Sequence, residues 1–239
     1  YLCKMKAPFD YGKVIMPDYF TNRTKETRRL ENNFVNKIHT TLISPRRWGK
    51  SSLVKHTADR LVKKNKKFRV CYVDLFNVVN EEEFYKELSG QVMKSTSNKF
   101  EEFMQNTKQF LSALKPSVSL GEVTGSEFEI EIGFKEIKKN ISTILDLTET
   151  IAKSKNIILI VCIDEFQNIE KFKDPEGLQK RLRAHWQHHQ HVVYCIYGSK
   201  RHMMMHLFES KSMHFYKFDD TFYLEKIKQK HWLHYIIEK

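Results

Sequence analysis

Three consecutive residues, Gly49, Lys50 and Ser51, have the types and order needed to hold a chain of phosphates. Gly49 lets the backbone approach a phosphate with no Cβ in the way. Successive N–H groups of a loop running into a new helix face the anion. The Lys50 ammonium reaches the terminal phosphates, and the Ser51 hydroxyl can sit on Mg2+. The full pattern is G-x-x-x-x-G-K-[ST]. Ser44 stands where its first Gly belongs, Pro45, Arg46, Arg47 and Trp48 fill the middle, and Ser52 follows. Taken alone, the tripeptide is also what a basic turn before an ordinary helix looks like.

A second signal lies far along the chain. Residues 157–163 are apolar without alternation and end in Asp164-Glu165. An unbroken apolar run of this length reads as a strand buried on both faces, as in a parallel sheet. A strand ending in paired carboxylates is the Walker B arrangement: Asp164 would hold Mg2+ through water, and Glu165 would orient or polarise an attacking water. Two solvated acids after a buried strand are common, but their coincidence with a phosphate loop is not. Residues 192–197 read as another strand, ending in Gly198-Ser199-Lys200-Arg201. Ser199 would lie beside the acid pair and sense a γ-phosphate. Lys200 or Arg201 would add positive charge there, and an Arg acting across a subunit boundary in an oligomer is an equal alternative. Asp74, near the end of a strand at 68–76, is a secondary candidate, because ligands bind at the strand C-termini of open parallel sheets. Its simpler reading is a cap for the next turn.

The elements that must position these groups follow from periodicity. Asn22 reads as the N-cap of a helix with Leu30, Phe34 and Val35 on one face. A strand at 41–43 enters the loop, and the helix after it, 50–64, buries Leu53, Val54, Leu61 and Val62. Residues 81–114 read as two helical pieces broken near 95–97. Phe128, Ile130, Ile132 and Phe134 alternate with Glu127, Glu129, Glu131 and Gly133, which predicts an inserted β-hairpin at about 117–134. Helices are expected at 136–153 and from Pro175 to about 189. The run Met203, Met204, Met205, Leu207, Phe208 reads as helix core. Short strands at 215–218 and 221–224 flank a turn at Asp219-Asp220, and a last helix spans 224–239. Alternating strands and helices make an α/β fold with a parallel sheet flanked by helices. The spacing of the two motif strands suits sheet neighbours. The division expected is an N-terminal segment and helix at 1–38, a core at 39–212, and the start of a helical lid at 213–239.

The chain has 239 residues, 41% hydrophobic and 13% aromatic, which describes a globular protein. No apolar run reaches transmembrane length. Cys3, Cys71, Cys162 and Cys195 form no CxxC pair; buried thiols in a reducing cytoplasm fit them best. Lys and Arg total 41 against 29 acids, a net charge of +12. Such a surface attracts polyanions, so a nucleic acid or an acidic protein partner is compatible, although solvated helix faces account for most of the excess. His185, His188, His189 and His191 cluster at a helix end; a metal site is conceivable, and helix-end imidazoles near the negative dipole end are the plainer reading. The chain opens at Tyr1 without Met and stops inside a helix, which reads as a piece of a larger protein.

Three segments together, ISPRRWGKSS at 43–52, IDEFQ at 163–167 and YGSKR at 197–201, resemble the archaeal-type ATPases, P-loop proteins near the AAA+ and STAND groups found in archaea and in bacteria such as Bacteroidetes. Residues 20–30 resemble the F-x-x-R-x-x-E-x-x-x-L segment ahead of the first strand in that family, with Glu26 at the acidic position; there it lies near the nucleotide base. The resemblance spans roughly residues 9–239. It implies a P-loop core with an extra strand between the loop strand and the acid strand, ATP as the nucleotide, and Mg2+-dependent hydrolysis coupled to a conformational switch. The roles it implies are Lys50 on the β/γ-phosphates, Ser51 and Asp164 on Mg2+, Glu165 on water and Ser199 on the γ-phosphate. Residues 45–52 would cradle the nucleotide. A nucleotide-gated scaffold with little turnover, binding nucleic acid or a protein, is the alternative.

Overall fold

The computed structural model describes residues 20–97, 102, 105 and 140–238. The predicted hairpin at 117–134 and the second helical piece before it lie outside the described residues, apart from Glu102 and Gln105. Helix α1 (Thr24–Val35) precedes strand β1 (Thr40–Ile43), followed by α2 (Lys50–Lys64), β2 (Phe68–Asp74) and α3 (Glu81–Thr96). After the undescribed stretch come α4 (Ile141–Leu145), α5 (Leu147–Ser154) and β3 (Ile158–Asp164). A 3-10 turn (Phe166–Lys171) leads to α6 (Pro175–Trp186), β4 (Val192–Gly198), α7 (Arg201–Glu209), β5 (Asp220–Tyr223) and α8 (Gln229–Glu238).

The five strands form one parallel sheet in the order β2-β3-β4-β1-β5. The loop strand β1 and the acid strand β3 are therefore not neighbours, as the spacing suggested; β4 lies between them, as the resemblance implied. Strand β5 begins beyond residue 212, where the sequence placed the end of the core, yet it pairs with β1 as the sheet's edge.

Strands β1, β3 and β4 bury both faces, and the two faces of the sheet define two apolar layers. Leu159, Val161 and Ile163 of β3 face the layer filled from α3 to α7; Ile158, Ile160 and Cys162 face the layer under α1 and α2. Burial of one such Ile or Leu side chain stabilises by roughly 1.5–3 kcal/mol. The uninterrupted apolar spelling of β3 is thus the direct consequence of helices covering both sides.

Local differences from the sequence reading have physical causes. Asn22 is not an N-cap: Asn22 and Arg23 are both left-handed, φ 59° and 62°, and α1 begins after them with no side-chain cap. Val35, the last residue of α1, is half exposed rather than part of the buried stripe. Residues 215–218 are turns, not a strand. Phe215 is fully buried against Phe166, Trp186, Phe208 and Phe218, so its aromatic spacing reflects a ring cluster. The helix expected at 136–153 is divided at Asp146, whose carboxylate is engaged by His185 at 2.7 Å and His189 at 3.3 Å. Helix α6 stops at Trp186, and His191 pairs with Glu149 at 2.7 Å. Three of the four imidazoles thus meet carboxylates, of α5 and of the turn before it, while His188 lies against Gln187. Among the described residues no group of three or more His, Cys, Asp or Glu could hold a metal ion.

Candidate functional site

Strands β1, β3 and β4 deliver their C-terminal ends side by side, and the polar residues that follow each strand meet there. The loop leaving β1 is anchored at its first residue. Ser44 is fully buried, its N–H donates to the Gly198 carbonyl at 3.4 Å, and its hydroxyl donates to the Pro45 carbonyl at 3.0 Å. The position of the missing glycine is thus occupied by a side chain that folds back on its own loop. Two residues of the loop are left-handed, Arg47 at φ 66° and Gly49 at φ 85°. Gly49 ends the loop and starts α2, where the backbone conformation disfavours a Cβ although the space for one is open. Arg46 and Arg47 are exposed, Pro45 and Trp48 half-buried, and Ser52 is buried in the first turn of α2.

Lys50 and Ser51, the first two residues of α2, point at the end of β3. The Lys50 ammonium lies 3.1 Å from Glu165 Oε1 and 3.7 Å from Asp164 Oδ1. The Ser51 hydroxyl donates to Asp164 Oδ2 at 2.7 Å. Asp164 Oδ1 also accepts from the Glu165 N–H at 2.8 Å, and Glu165 itself is left-handed, φ 52°. Glu165 Oε2 accepts from the Ser199 hydroxyl at 2.7 Å and from Gln167 Nε2 at 2.6 Å. Arg46 Nε donates to Ser199 Oγ at 3.4 Å. Lys50, Ser51, Asp164, Glu165 and Ser199, spread over most of the sequence, thus form one bonded cluster.

One cation faces two carboxylates here, and the environment separates the two acids. Burial pushes the Asp164 carboxyl above its ordinary range, despite Lys50, Ser51 and the Glu165 N–H favouring its charge. Burial also opposes charge on Glu165, but the donors Ser199 and Gln167, with Lys50, outweigh it and hold that carboxyl below its ordinary range. Glu165 is accordingly the firmer anion. Ser51 Oγ and Asp164 Oδ2 are hard oxygen donors already in contact, the donor type that Mg2+ prefers.

Other sequence candidates lie outside this cluster. Asp74 is exposed and accepts from the Phe76 N–H at 2.9 Å, so it caps the turn after β2. Lys200 is exposed, and the Arg201 guanidinium lies over the Tyr223 ring at 5.0 Å. Two contacts escaped the sequence reading. Arg23, only 4% exposed, donates to Glu26 and to the Trp48 carbonyl, both at 3.0 Å, tying the segment before α1 to the phosphate loop. Nearby, Phe20 stacks on His56 of α2 with ring centroids 4.0 Å apart. Gln167 is the other: it stands last in the IDEFQ segment, but a lone amide two residues after an acid carries no sign of its burial or its partner.

A family model described as an ATPase domain predominantly from Archaea matches residues 20–234. None of the curated proteins matches. Among solved structures, a Walker-type ATPase of Pyrococcus abyssi aligns with a TM-score of 0.61 at 17% identity, covering 97% of this chain and 61% of that one. The Aeropyrum pernix ORC2 protein in its ADPNP–ADP complexes aligns with a TM-score of 0.57 at 18% identity, covering 98% and 55%. The Aeropyrum pernix ORC1 protein in complex with DNA gives 0.57 at 11%, covering 94% and 52%. The chain therefore spans little more than half the length of these structures, and at such identities they share its α/β P-loop fold. With the family model covering nearly all of its described residues, the chain belongs to the family of P-loop ATPase domains found predominantly in Archaea.

Proposed function

We propose that this domain binds ATP with Mg2+ at the loop between β1 and α2, hydrolyses it slowly, and changes conformation as it does so. The observation that carries the reading is the convergence of Lys50, Ser51, Asp164, Glu165 and Ser199 within one hydrogen-bonded cluster. Residues 45–52 form the cradle, with backbone N–H groups at the start of α2 facing the phosphates. Lys50 neutralises charge on the β- and γ-phosphates. Ser51 and Asp164 are the residues that would hold Mg2+; when bound, the ion offsets charge on the phosphate oxygens. Glu165 takes a hydrogen bond from the attacking water, and Ser199 faces the γ-phosphate.

The conformational coupling follows from competition. Lys50 and Ser51 are bonded to the carboxylates of β3, so nucleotide must exchange those bonds for its own. Each state of the site fixes a different set of partners for Glu165 and Ser199, and Ser199 leads directly into α7. Three buried free thiols, Cys71, Cys162 and Cys195, suit a cytoplasmic protein. Among the described residues no helix is long and apolar enough to cross a membrane.

The test is calorimetry with Mg-ATP on the wild type and on Lys50→Ala, followed by turnover of Glu165→Gln. Binding that disappears in the first variant, and hydrolysis that falls by about 10²–10⁴-fold in the second with binding kept, are the expected results. Equal binding by wild type and Lys50→Ala would sink the reading.

A nucleotide-gated nucleic-acid binder with little turnover is the second reading. It is favoured by the charge of +12 and by an open cavity of about 450 Å³ on α1 lined by Lys25, Arg28 and Arg29, with Asp220 pairing Arg29. A salt-dependent mobility shift with DNA or RNA, undiminished in Glu165→Gln, would favour it.

A further inference from the structure

Among the described residues Glu165 has three side-chain donors, and they are not equivalent. Oε1 accepts from Lys50 at 3.1 Å. Oε2 accepts from Ser199 at 2.7 Å and from Gln167 at 2.6 Å. If the site works as proposed above, nucleotide claims two of the three: Lys50 turns to the β- and γ-phosphates, and Ser199 faces the γ-phosphate. Gln167 has no such alternative. Its side chain is fully buried, in the 3-10 turn that directly follows Glu165, and its carbonyl oxygen has no hydrogen-bond partner among the described residues. An ionised carboxylate only accepts, so the amide edge that faces it is the NH2 group.

The surroundings show what the amide is for. A Cβ built on Gly198 would come 2.0 Å from Gln167 Oε1 and 2.7 Å from Met204 Sδ. The last residue of β4 therefore leaves the space into which the amide oxygen fits, beside a methionine. A hydrocarbon side chain of the same size would fill this apolar space without burying an unpaired carbonyl. What the glutamine supplies beyond such a side chain is its hydrogen bond to Oε2.

We propose that Gln167 is a positioning residue for Glu165: it holds Oε2 in place when Lys50 and Ser199 have turned to nucleotide, leaving Oε1 aimed at the attacking water. This rests on the hydrolysis reading above. It follows the arrangement in which a base is oriented by a third group that never touches substrate. Loss of such a supporting hydrogen bond lowers activity by about 10–100-fold.

The experiment compares Gln167→Met, which keeps volume and removes the donor, and Gln167→Leu, which removes the donor with a smaller apolar side chain. Mg-ATP dissociation constants, single-turnover hydrolysis rates and urea midpoints are measured for both and for the wild type. The expected result is a hydrolysis rate about 10–100-fold lower in each variant, with ATP affinity within about two-fold of wild type and the midpoint of Gln167→Met not reduced. Hydrolysis within about two-fold of wild type in either variant overturns the proposal, as does a fall in rate matched by an equal loss of ATP affinity. If Gln167→Met does not fold, Gln167→Leu decides alone by the same criteria. Failure of the hydrolysis reading itself shows elsewhere, as absent turnover in wild type or full turnover in Glu165→Gln.

Discussion

His39 sits just before β1, at the end of the strand away from the phosphate loop, and its protonation should set the acid stability of the fold. The ring is held as a neutral imidazole. Its Nδ1 accepts from the Tyr194 N–H at 3.2 Å, and its other nitrogen donates to the Trp186 carbonyl. Tyr194 and Phe218 pack on it at 5.4 and 4.6 Å between centroids. Burial pulls its pKa from 6.5 down to about 4, with His189 and Arg183 nearby adding to the effect. The unfolded chain therefore binds this proton first, and stability falls as pH drops from the unfolded value toward the folded one. At about pH 5 the ratio of the two binding polynomials gives a loss of about 2 kcal/mol relative to neutral pH. Urea unfolding of the wild type and of His39→Gln, each at about pH 7.5 and about pH 5, isolates this quantity as a double difference, because the other titrating groups cancel. The Gln amide offers an acceptor to Tyr194 and a donor to Trp186 and does not titrate. The wild type should lose about 2 kcal/mol more than the variant on acidification. Equal losses in the two proteins would refute the assignment of this proton to His39.

Asp219 should act with the opposite sign. Burial raises its carboxyl to about 6, despite hydroxyl donors from Thr41 and Thr221. A folded pKa raised above the unfolded one costs stability once pH rises through it, so Asp219→Asn should be more stable at about pH 8 by up to about 3 kcal/mol. Urea midpoints should show that advantage shrinking toward zero near pH 4. Gly198→Ala should cost about 1–3 kcal/mol, because the new methyl meets Gln167 and Met204. It should also slow ATP hydrolysis more than it weakens ATP binding; a variant with wild-type rate and lower stability would show that the displaced amide does not matter. Arg23→Met should weaken Mg-ATP binding in calorimetry, because the Trp48 carbonyl loses the guanidinium that fixes the loop.

The bonded cluster is largely legible in the sequence because its parts are short and local. Gly49, Lys50 and Ser51 are adjacent, and β3 writes its double burial into one continuous apolar run. What escaped was set by tertiary contact. Asn22 has a capping side chain, but two left-handed residues carry the chain past it so that Arg23 reaches the loop. Phe215, Tyr216 and Phe218 make an aromatic run such as strands carry, yet Phe215 and Phe218 meet in a ring cluster within turns. The sheet position of β5, a four-residue strand, depends on its pairing with β1 and not on its own pattern. Gln167 looks like any polar residue until its burial and its partner are known.

The pairing of β1 also bears on how the domain is made. All four of its residues are buried, and both of its neighbours, β4 and β5, come from the last quarter of the chain. As the polypeptide leaves the ribosome, β1 must wait unpaired while every residue up to Val192 is synthesised. Strands β2 and β3 can pair earlier, so the half of the sheet that carries the acids precedes the half that carries the loop. Pairings of such long sequence separation form slowly and leave apolar segments open to aggregation meanwhile. If the loop binds nucleotide as proposed, that competence comes only once β4 and β5 have joined β1, and a ligand that recognises only the closed loop would act as a late brace on folding.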